Sequence, residues 1–523
     1  MKYYFYNEDI AQKSIGELLK MLEAGEVNSE ELVWAYTERI ASLDNAAGGP
    51  QLHGVRELNP DAFQIARERD WERRKGELRG PLHGIPILLK DSIDTGDKTR
   101  TTCGSMAMRE HRAEKDAFIV KNLREAGAII LGKNYCTEFY GYSSLDAPNG
   151  YSSLLDGAPV NPFSFQCRRK LKPGGSSGGS AVSVAADMTA AAIGTDTAGS
   201  IFEPAYVNGV VGYKPTVGLT SRTGILPIMM CQDAAGPITR NVEDAARIAD
   251  VIIARDPEDT DTIRAEAFAD ARFLEVLNGA DLRGKRFGIV REGYYEEMDG
   301  LGTGADPTEA DLTEQALSML ERAGATIIEV KDFLPAQILA EPDKYPERLD
   351  YEVMNRAFKV RFDHYLATQK DLPFHSLKEL IDWNRAHPEN IPIGQSYLEM
   401  VAALCEVPVP TAGDKTTAAH SIDPVTTPEF VRARMNDLDI CGTRGVWGAF
   451  ENYGLDVLIL PGLAAQGIAA TAGNPTITIP AGYSEATGPV GITLVGELMG
   501  DCELLRIASA CEKVLPPRPI PKL

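Results

Sequence analysis

The first segment whose residue types could do chemistry is a short apolar stretch that ends in a lysine. Residues 80–94 read GPLHGIPILLKDSID. Because successive side chains of a strand point to opposite faces, Leu88 and Lys90 share one face while Ile87 and Leu89 share the other. Both faces are apolar, which predicts a buried strand with Lys90 at its end. The alternative is a lysine that reaches solvent along its apolar stem or pairs with a neighbouring carboxylate.

A loop rich in glycine and serine forms the second segment. Residues 172–181 read KPGGSSGGSA; a flexible linker is disfavoured because apolar sequence continues on both sides. A phosphate-binding P-loop is excluded because its lysine would follow the glycines, whereas Lys172 precedes them. Gly175–Gly179 matches GxSxG, the nucleophile elbow of serine esterases, with Ser177 at its centre. The elbow requires a strand directly before it, and residues 166–173 make a poor strand.

A second loop with a serine follows in the sequence. Residues 194–204 read GTDTAGSIFEP. Between the two loops, the pattern predicts a helix of small residues at Ser180–Met188 and a strand at Ala190–Gly194. A helix of about nine residues advances roughly 14 Å, and about five strand residues return roughly 16 Å. This geometry predicts that Ser200 lies near Ser176, as a site with two serines requires.

The elements around these segments alternate between helices and strands, which is typical of an α/β fold. Apolar residues at helical spacing predict two helices in Ser14–Leu43, broken near Gly25, with Ser29 as the N-cap of the second. Strands are predicted in both halves of the chain, at residues 84–89, 129–131, 210–213, 286–290, 326–330, 457–460, 476–479 and 492–495. One sheet assembled from distant segments favours a single α/β domain over residues 1–523, with a mostly helical peripheral insertion at about 340–440.

The composition is that of an ordinary globular protein and excludes several classes of function. The 523 residues include 53 Lys and Arg against 75 Asp and Glu, a net charge of −22. This acidic balance argues against binding to nucleic acid or to an anionic membrane surface, which require basic residues. The eight cysteines include no CxxC pair, so we expect neither a zinc site nor a disulfide scaffold. No signal-peptide pattern and no apolar run of about 18 residues occur, which predicts a cytoplasmic protein without a membrane span.

Together, the three segments resemble those of the amidase signature family. The family's segments are Gly-Ile-Pro-x-x-x-Lys-Asp at a strand end, Gly-Gly-Ser-Ser-Gly-Gly-Ser, and Thr-Asp-Thr-Gly-Gly-Ser-Ile. Further matches follow at Gly212–Thr216, Ser221–Pro227, Gln232–Pro237 and Gly488–Ile492, and the resemblance covers nearly the whole chain. The Ser-Arg-x-Gly-Ile and Gln-Asp runs are most similar to hydrolases of the peptide-amidase type. The resemblance implies one α/β/α domain with a large mixed sheet, and chemistry that uses no metal and no cofactor.

The resemblance also implies a catalytic role for three residues. Ser200 would be the nucleophile, Ser176 the serine that bridges to the base, and Lys90 the general base. A serine hydroxyl is a weak nucleophile until a base takes its proton. Lys90 would have to be neutral, and burial favours this because it lowers the pKa of an amine. In family members the peptide bond before the bridging serine, here Gly175–Ser176, is cis. The implied reaction converts an amide to a carboxylate plus ammonia or an amine, through an acyl-enzyme on Ser200.

The loop around the nucleophile would stabilise the reaction intermediate. The resemblance implies an oxyanion hole made of four backbone N–H groups, those of Thr197, Ala198, Gly199 and Ser200. It also implies that Asp196 and Ser177 hold the two loops in place.

Three positions depart from the pattern of the family. Ala198 stands where glycine is usual, and its methyl group would cost about 1 kcal/mol if the loop needs a positive φ. Phe202, followed by Glu203, stands where arginine is usual, so the contacts of that arginine in the substrate pocket do not carry over. The insertion Tyr151–Leu171 has no counterpart in the common pattern, and we expect it at the rim of the pocket.

Three alternative functions are left beside that of an amidase. The chain could be the A subunit of a glutamyl-tRNA amidotransferase-like complex, which makes ammonia with the same three residues and needs a partner protein; Phe202 and Glu203 count against this. It could be a non-catalytic scaffold, although all three residues are present. It could be an esterase that uses Ser177 and a histidine from the helical insertion at about 340–440. As an amidase, it would bind a small-molecule amide substrate as a monomer or a homodimer.

Overall fold

The computed structural model describes residues 10–168, 170–295, 308–341, 344, 352–404, 425, 427–463 and 467–523. Part of the insertion predicted at about 340–440 lies outside these ranges. No helix within them combines the length and the hydropathy that a membrane span requires.

In the described part of the chain, eleven strands form one mixed sheet. The strands are β1 (Val55–Leu58), β2 (Pro86–Lys90), β3 (Ile129–Asn134), β4 (Ala191–Asp196), β5 (Val211–Lys214), β6 (Ala234–Thr239), β7 (Arg286–Ile289), β8 (Thr326–Glu329), β9 (Val457–Leu460), β10 (Thr476–Ser484) and β11 (Gly488–Val495). Their order is β1-β3-β2-β4-β6-β5-β10-β11-β9-β7-β8. β2 pairs in parallel with β3 and β4, whereas β6 is antiparallel to both of its neighbours. The α/β class and the assembly of one sheet from both halves of the chain are therefore confirmed.

Helices surround this sheet, as expected for the α/β class. The described α-helices are α1 (Ile15–Ala24), α2 (Ser29–Leu43), α3 (Ala62–Arg74), α4 (Phe118–Glu125), α5 (Gly178–Ala185), α6 (Phe202–Val207), α7 (Val242–Ile252), α8 (Glu309–Arg322), α9 (Leu334–Ala340), α10 (Glu352–Thr368), α11 (Leu377–Ala386), α12 (Ser396–Leu404), α13 (Pro428–Leu438), α14 (Trp447–Tyr453), α15 (Ile468–Ala472) and α16 (Asp501–Glu512). The division of the chain into one domain with a peripheral insertion stays a prediction.

The apolar core explains why β2 is placed where it is. Ile87, Leu88 and Leu89 are each 0% exposed, which confirms a strand that is buried on both faces. They belong to an apolar cluster that also contains residues of α1, α2 and α5. A second cluster packs β9, β10 and β11 against α16. The sheet is thus covered by apolar helix faces, and β2 ends deep inside the protein.

The N-terminal helices agree with the prediction except at one cap. The break near Gly25 is confirmed, and this glycine ends α1 with a φ of 70°. Ser29 as N-cap is wrong, because the N-cap of α2 is Asn28, whose side-chain oxygen accepts from the N–H of Glu31 at 2.9 Å. Ser29 is the first helical residue, and its own N–H donates to Asp70 Oδ1 at 2.7 Å.

The helices of residues 352–404 pack against the segment that follows β3. Phe358 and Phe362 of α10 contact Tyr142 and Phe139, with ring centroids 4.2 Å and 5.3 Å apart respectively. Phe139 belongs to the turn that follows β3. This part of the predicted insertion therefore covers one side of the candidate site.

The insertion Tyr151–Leu171 contacts both the segment that follows β3 and the turn between β10 and β11. At its start, the carbonyl of Tyr151 accepts from the N–H of Glu138 at 2.8 Å, close to the loop of Ser176. Towards its end, the N–H of Arg168 donates to the carbonyl of Glu485 in the turn between β10 and β11. The first residues of the insertion thus lie near the loop of Ser176 and its last residues lie elsewhere, and its place at the pocket rim stays a prediction.

Candidate active site

Lys90 lies at the carboxyl end of β2, where the buried strand directs its amine into the protein. Its side chain is 0% exposed. Its Nζ donates to Ser176 Oγ at 2.7 Å, to Thr195 Oγ1 at 2.8 Å and to the Thr195 carbonyl at 3.3 Å. The alternative of a lysine that reaches solvent is therefore wrong.

Burial sets the protonation state of Lys90. Loss of hydration disfavours the ammonium and lowers the pKa of Lys90 from 10.5 to about 8, although the nearby carboxylates of Asp196 and Asp233 oppose the shift. The ring of Tyr140 covers the amine, with Nζ 4.8 Å from the ring centroid. At pH 7 about one amine in ten with such a pKa is already neutral. Lys90 can thus accept a proton near neutral pH.

Ser176 meets this amine from the first serine loop. The Gly175–Ser176 peptide bond is cis, as the resemblance implied. Ser176 is 3% exposed, and its carbonyl accepts from the N–H of Thr137 at 3.1 Å. A Cβ on Gly175 would lie 2.7 Å from Thr137 Oγ1, so the close approach of these two segments requires glycine. The hydroxyl of Ser176 is left facing Lys90.

The helix and strand between the two loops bring the serines together, as their lengths predicted. α5 leads away from the first loop and β4 returns to the second. The N–H of Ser177 donates to the carbonyl of Ser200 at 3.3 Å. The Ser200 side chain is half-buried, and its hydroxyl has no hydrogen-bond partner in the described ranges. The hydrogen bond between Lys90 and Ser176 is therefore formed, and a bond between Ser176 and Ser200 is not.

Asp196 holds the loop that carries Ser200. Its Oδ1 accepts from the N–H of Gly199 at 2.8 Å, and its Oδ2 accepts from the N–H of Ile201 at 2.6 Å. A carboxylate therefore occupies the N–H of Gly199 in this geometry, and a contribution of that N–H to an oxyanion hole stays a prediction. Gly199 also supplies backbone freedom, with a φ of 108°.

Three of the four expected oxyanion donors are unoccupied. The N–H groups of Thr197, Ala198 and Ser200 have no acceptor among the residues that the structure describes. Ala198 does not have a positive φ, so its methyl group brings no left-handed strain at this departure from the family pattern. These three donors could meet an oxyanion next to Ser200.

Ser177 has a structural place beneath the site. It is 0% exposed; its Oγ donates to the carbonyl of Thr195 at 3.2 Å and lies 3.3 Å from the N–H of the same residue. Residues 166–173 form no strand, although Arg169 lies outside the described residues. A nucleophile elbow requires an exposed serine on a strand-to-helix turn. Both observations weigh against an esterase centred on Ser177.

Two residues to which the sequence assigns no place in the site hold the oxyanion loop from its other side. Gln232 Nε2 donates to the carbonyl of Thr197 at 3.0 Å, and Thr197 Oγ1 donates to Asp233 Oδ1 at 2.5 Å. Arg434 of α13 in turn donates to Gln232 Oε1 at 3.1 Å. The match of the Gln-Asp run to the family could have indicated Gln232 and Asp233. No such match indicates Arg434, which lies more than 200 positions from Gln232 in the sequence.

The departures at residues 202 and 203 place an apolar ring in the core and a buried carboxyl next to the first serine loop. Phe202 is 3% exposed and Glu203 is 7% exposed. Burial raises the pKa of Glu203 to about 7, while hydrogen bonds from Asn149 and from the backbone of Gly175 oppose the shift. Neither residue offers the positive charge of the arginine that is usual in the family.

Comparisons with known proteins agree with this arrangement. A family model described as Amidase matches residues 31–505. The chain belongs to the amidase family. A probable amidase of Arabidopsis thaliana is 33% identical over 517 residues, which cover 98% of this chain and 92% of that protein. Membership of the family supports an amide-hydrolysing enzyme, and a lysine with two serines is characteristic of its members.

Two solved structures show which branches of the family the fold resembles. The peptide amidase from Stenotrophomonas maltophilia is 36% identical, with a TM-score of 0.82 and coverage of 98% of this chain and 99% of that one. A glutamyl-tRNA(Gln) amidotransferase subunit from Thermotoga maritima is 25% identical, with a TM-score of 0.68 and coverage of 99% of both chains. This chain is thus more similar to the first structure than to the second.

Proposed function

We propose that this chain hydrolyses linear amides, either small primary amides or the C-terminal amides of peptides, through an acyl-enzyme on Ser200. The observation that carries the proposal is the 2.7 Å hydrogen bond from the buried amine of Lys90 to Ser176 Oγ, beside the loop of Ser200. Burial of an amine costs stability, and a base with a lowered pKa next to a hydroxyl is what an activated serine nucleophile needs.

Acylation begins with neutral Lys90. As Ser200 Oγ attacks the amide carbon, its proton passes to Ser176 Oγ, and the proton of Ser176 passes to Lys90 Nζ. The step requires the Ser200 hydroxyl to turn towards Ser176, and catalytic hydrogen bonds of free enzymes often tighten only when substrate binds. The products of this step are a tetrahedral intermediate and a lysine ammonium.

The intermediate then collapses. Its oxyanion accepts from the free N–H groups of Thr197, Ala198 and Ser200, and such preorganised donors stabilise the charge where it develops. The proton on Lys90 returns through Ser176 to the leaving nitrogen, the C–N bond breaks, and ammonia or an amine departs. Water repeats the sequence on the acyl-enzyme, releases the carboxylate and restores the Ser200 hydroxyl.

The choice of substrate class rests on likeness to solved structures. The greater similarity to the peptide amidase structure supports C-terminal peptide amides as substrates. The alternative of an amidotransferase component predicts glutamine as the ammonia source.

The test is ammonia release from an N-acylated dipeptide amide and, separately, from glutamine. We expect release from the dipeptide amide, and a loss of at least about 10³-fold in Ser200→Ala. Ser180→Ala is the matched control, because this buried serine of α5 donates to the carbonyl of Ile193 and does not touch Lys90. Release from glutamine alone would support the amidotransferase alternative, and no release from either by the folded wild type would support the scaffold.

A further inference from the structure

A cavity of about 500 Å³ has no residue of the two serine loops among those that line it. Residues of three segments line it, among them Trp447, Phe450, Glu451, Asn474, Glu497 and Leu498. The strand β11 is related to β4 by four antiparallel pairings, through β6, β5 and β10. β11 and β4 therefore run in the same direction. Glu497 follows β11 and Ser200 follows β4. The cavity and the candidate active site therefore both lie on the side of the sheet where the carboxyl ends of these two strands are found.

The indole of Trp447 is held rigidly in this cavity. Its Nε1 donates to Asn474 Oδ1 at 2.8 Å. Asn474 is 0% exposed and is fixed in turn, because its Nδ2 donates to the carbonyl of Gly496 at 2.8 Å. The backbone of Gly442 packs against the ring, since a Cβ there would lie 2.7 Å from Trp447 Cε3. The ring thus has a packed side and a side that lines the cavity.

Two carboxylates from different elements accompany this ring. Glu451 lies on α14 and Glu497 follows β11, and both side chains are exposed. Neither has an ion-pair partner in the described ranges of the chain, and no lysine or arginine lines the cavity. The cavity therefore combines an aromatic face with unbalanced negative charge.

We propose that this cavity binds an organic cation of the alkylammonium class. A cation is attracted by the face of an indole and by the two carboxylates, while its alkyl groups contact Phe450 and Leu498. An anion would meet uncompensated negative charge, and a neutral molecule of the same shape would gain burial alone. The proposal is independent of the chemistry at Ser200.

The experiment compares two small probes that share a shape and differ in charge. Choline and 3,3-dimethyl-1-butanol are titrated into the full chain by isothermal calorimetry at low salt. We expect saturable choline binding that is at least about ten-fold tighter than binding of the alcohol, which corresponds to about 1.4 kcal/mol.

Matched variants show where the probe binds. The double variant Glu451→Gln/Glu497→Gln should weaken choline binding at least about ten-fold. Glu23→Gln/Glu77→Gln removes the same charge from exposed positions outside the cavity and should leave the affinity within about two-fold. Equal affinity for choline and the alcohol, equal weakening by both double variants, or no saturable choline binding would each overturn the proposal.

Discussion

The hydrogen bond from Lys90 to the Thr195 hydroxyl offers a way to change the base without touching either serine. Thr195 Oγ1 accepts from Lys90 Nζ at 2.8 Å. Thr195→Val removes this acceptor and conserves the shape of the side chain. The Thr195 carbonyl and the Ser176 hydroxyl continue to contact the amine. The substitution therefore takes one of three acceptors from a buried ammonium.

The magnitude follows from the strength of a hydrogen bond to a charged group. Such a bond contributes about 1.5–3 kcal/mol, and a neutral amine retains part of it as a weaker donor. A difference of about 1.4 kcal/mol between the two protonation states is one pKa unit. We therefore expect the pKa of Lys90 to fall by about one unit from its value of about 8. At pH 6 the neutral fraction would rise from about 1% to about 9%.

The assay is the pH dependence of kcat/KM for amide hydrolysis. Because the neutral amine is the active form, activity rises with pH through the pKa of Lys90. In Thr195→Val this acid limb should move to lower pH, even though the weaker base lowers the plateau. Thr478→Val is the matched control, since it removes a buried threonine hydroxyl of β10 that contacts the carbonyl of Ile492. An acid limb that stays in place or moves to higher pH would refute Lys90 as the base.

Three further substitutions test the account. Lys90→Met should abolish hydrolysis and raise the free energy of unfolding at pH 7 by about 1–3 kcal/mol. Lys90 binds its proton more tightly in the unfolded chain than in the folded protein, where it is buried. The stability gained by Lys90→Met should therefore shrink as pH rises from 8 to 10.5. A gain that does not depend on pH would contradict the lowered pKa of Lys90. Glu203→Gln should stabilise the protein by about 1–3 kcal/mol at pH 8. The raised pKa of Glu203 makes wild-type stability fall as pH rises from 4.5 to about 7, so thermal unfolding at pH 4 should show no gain. Asp196→Ala leaves the N–H groups of Gly199 and Ile201 unpaired. We expect the free energy of unfolding, measured in urea, to fall by about 2–4 kcal/mol and kcat to fall by at least about 10²-fold. Kinetics within two-fold of wild type would show that the loop of Ser200 does not need Asp196.

The parts of the site that depend on local pattern could be predicted from the sequence. An apolar run on both faces placed β2 in the core, and the lengths of one helix and one strand returned Ser200 to the loop of Ser176. The strand β6 was missed because Gly236 and Pro237 lie within it, and proline is normally depleted in central strands. This strand nevertheless pairs Pro237 with Ile193 of β4. The pairing of β6 with a strand on each side thus outweighed the low preference of proline for central strands.

Contacts between segments that are distant in sequence could not be predicted. Which N–H groups of the Ser200 loop are free depends on backbone angles, and a carboxylate one turn away captures that of Gly199. The contact of Arg434 with Gln232, which in turn holds Thr197, depends on the packing of α13 against α10 and α15. The ring of Tyr140 over Lys90 follows from a positive φ of 62° at that residue, which no spacing in the sequence indicates.

The most direct test of the central claim is intact-mass analysis after reaction with a serine-reactive fluorophosphonate. The wild type, Ser200→Ala and Ser177→Ala are compared, each with its fold checked by circular dichroism. We expect one adduct on the wild type, which is lost in Ser200→Ala and persists in Ser177→Ala. An adduct that persists in Ser200→Ala and is lost in Ser177→Ala would contradict the assignment of the nucleophile and support an esterase centred on Ser177.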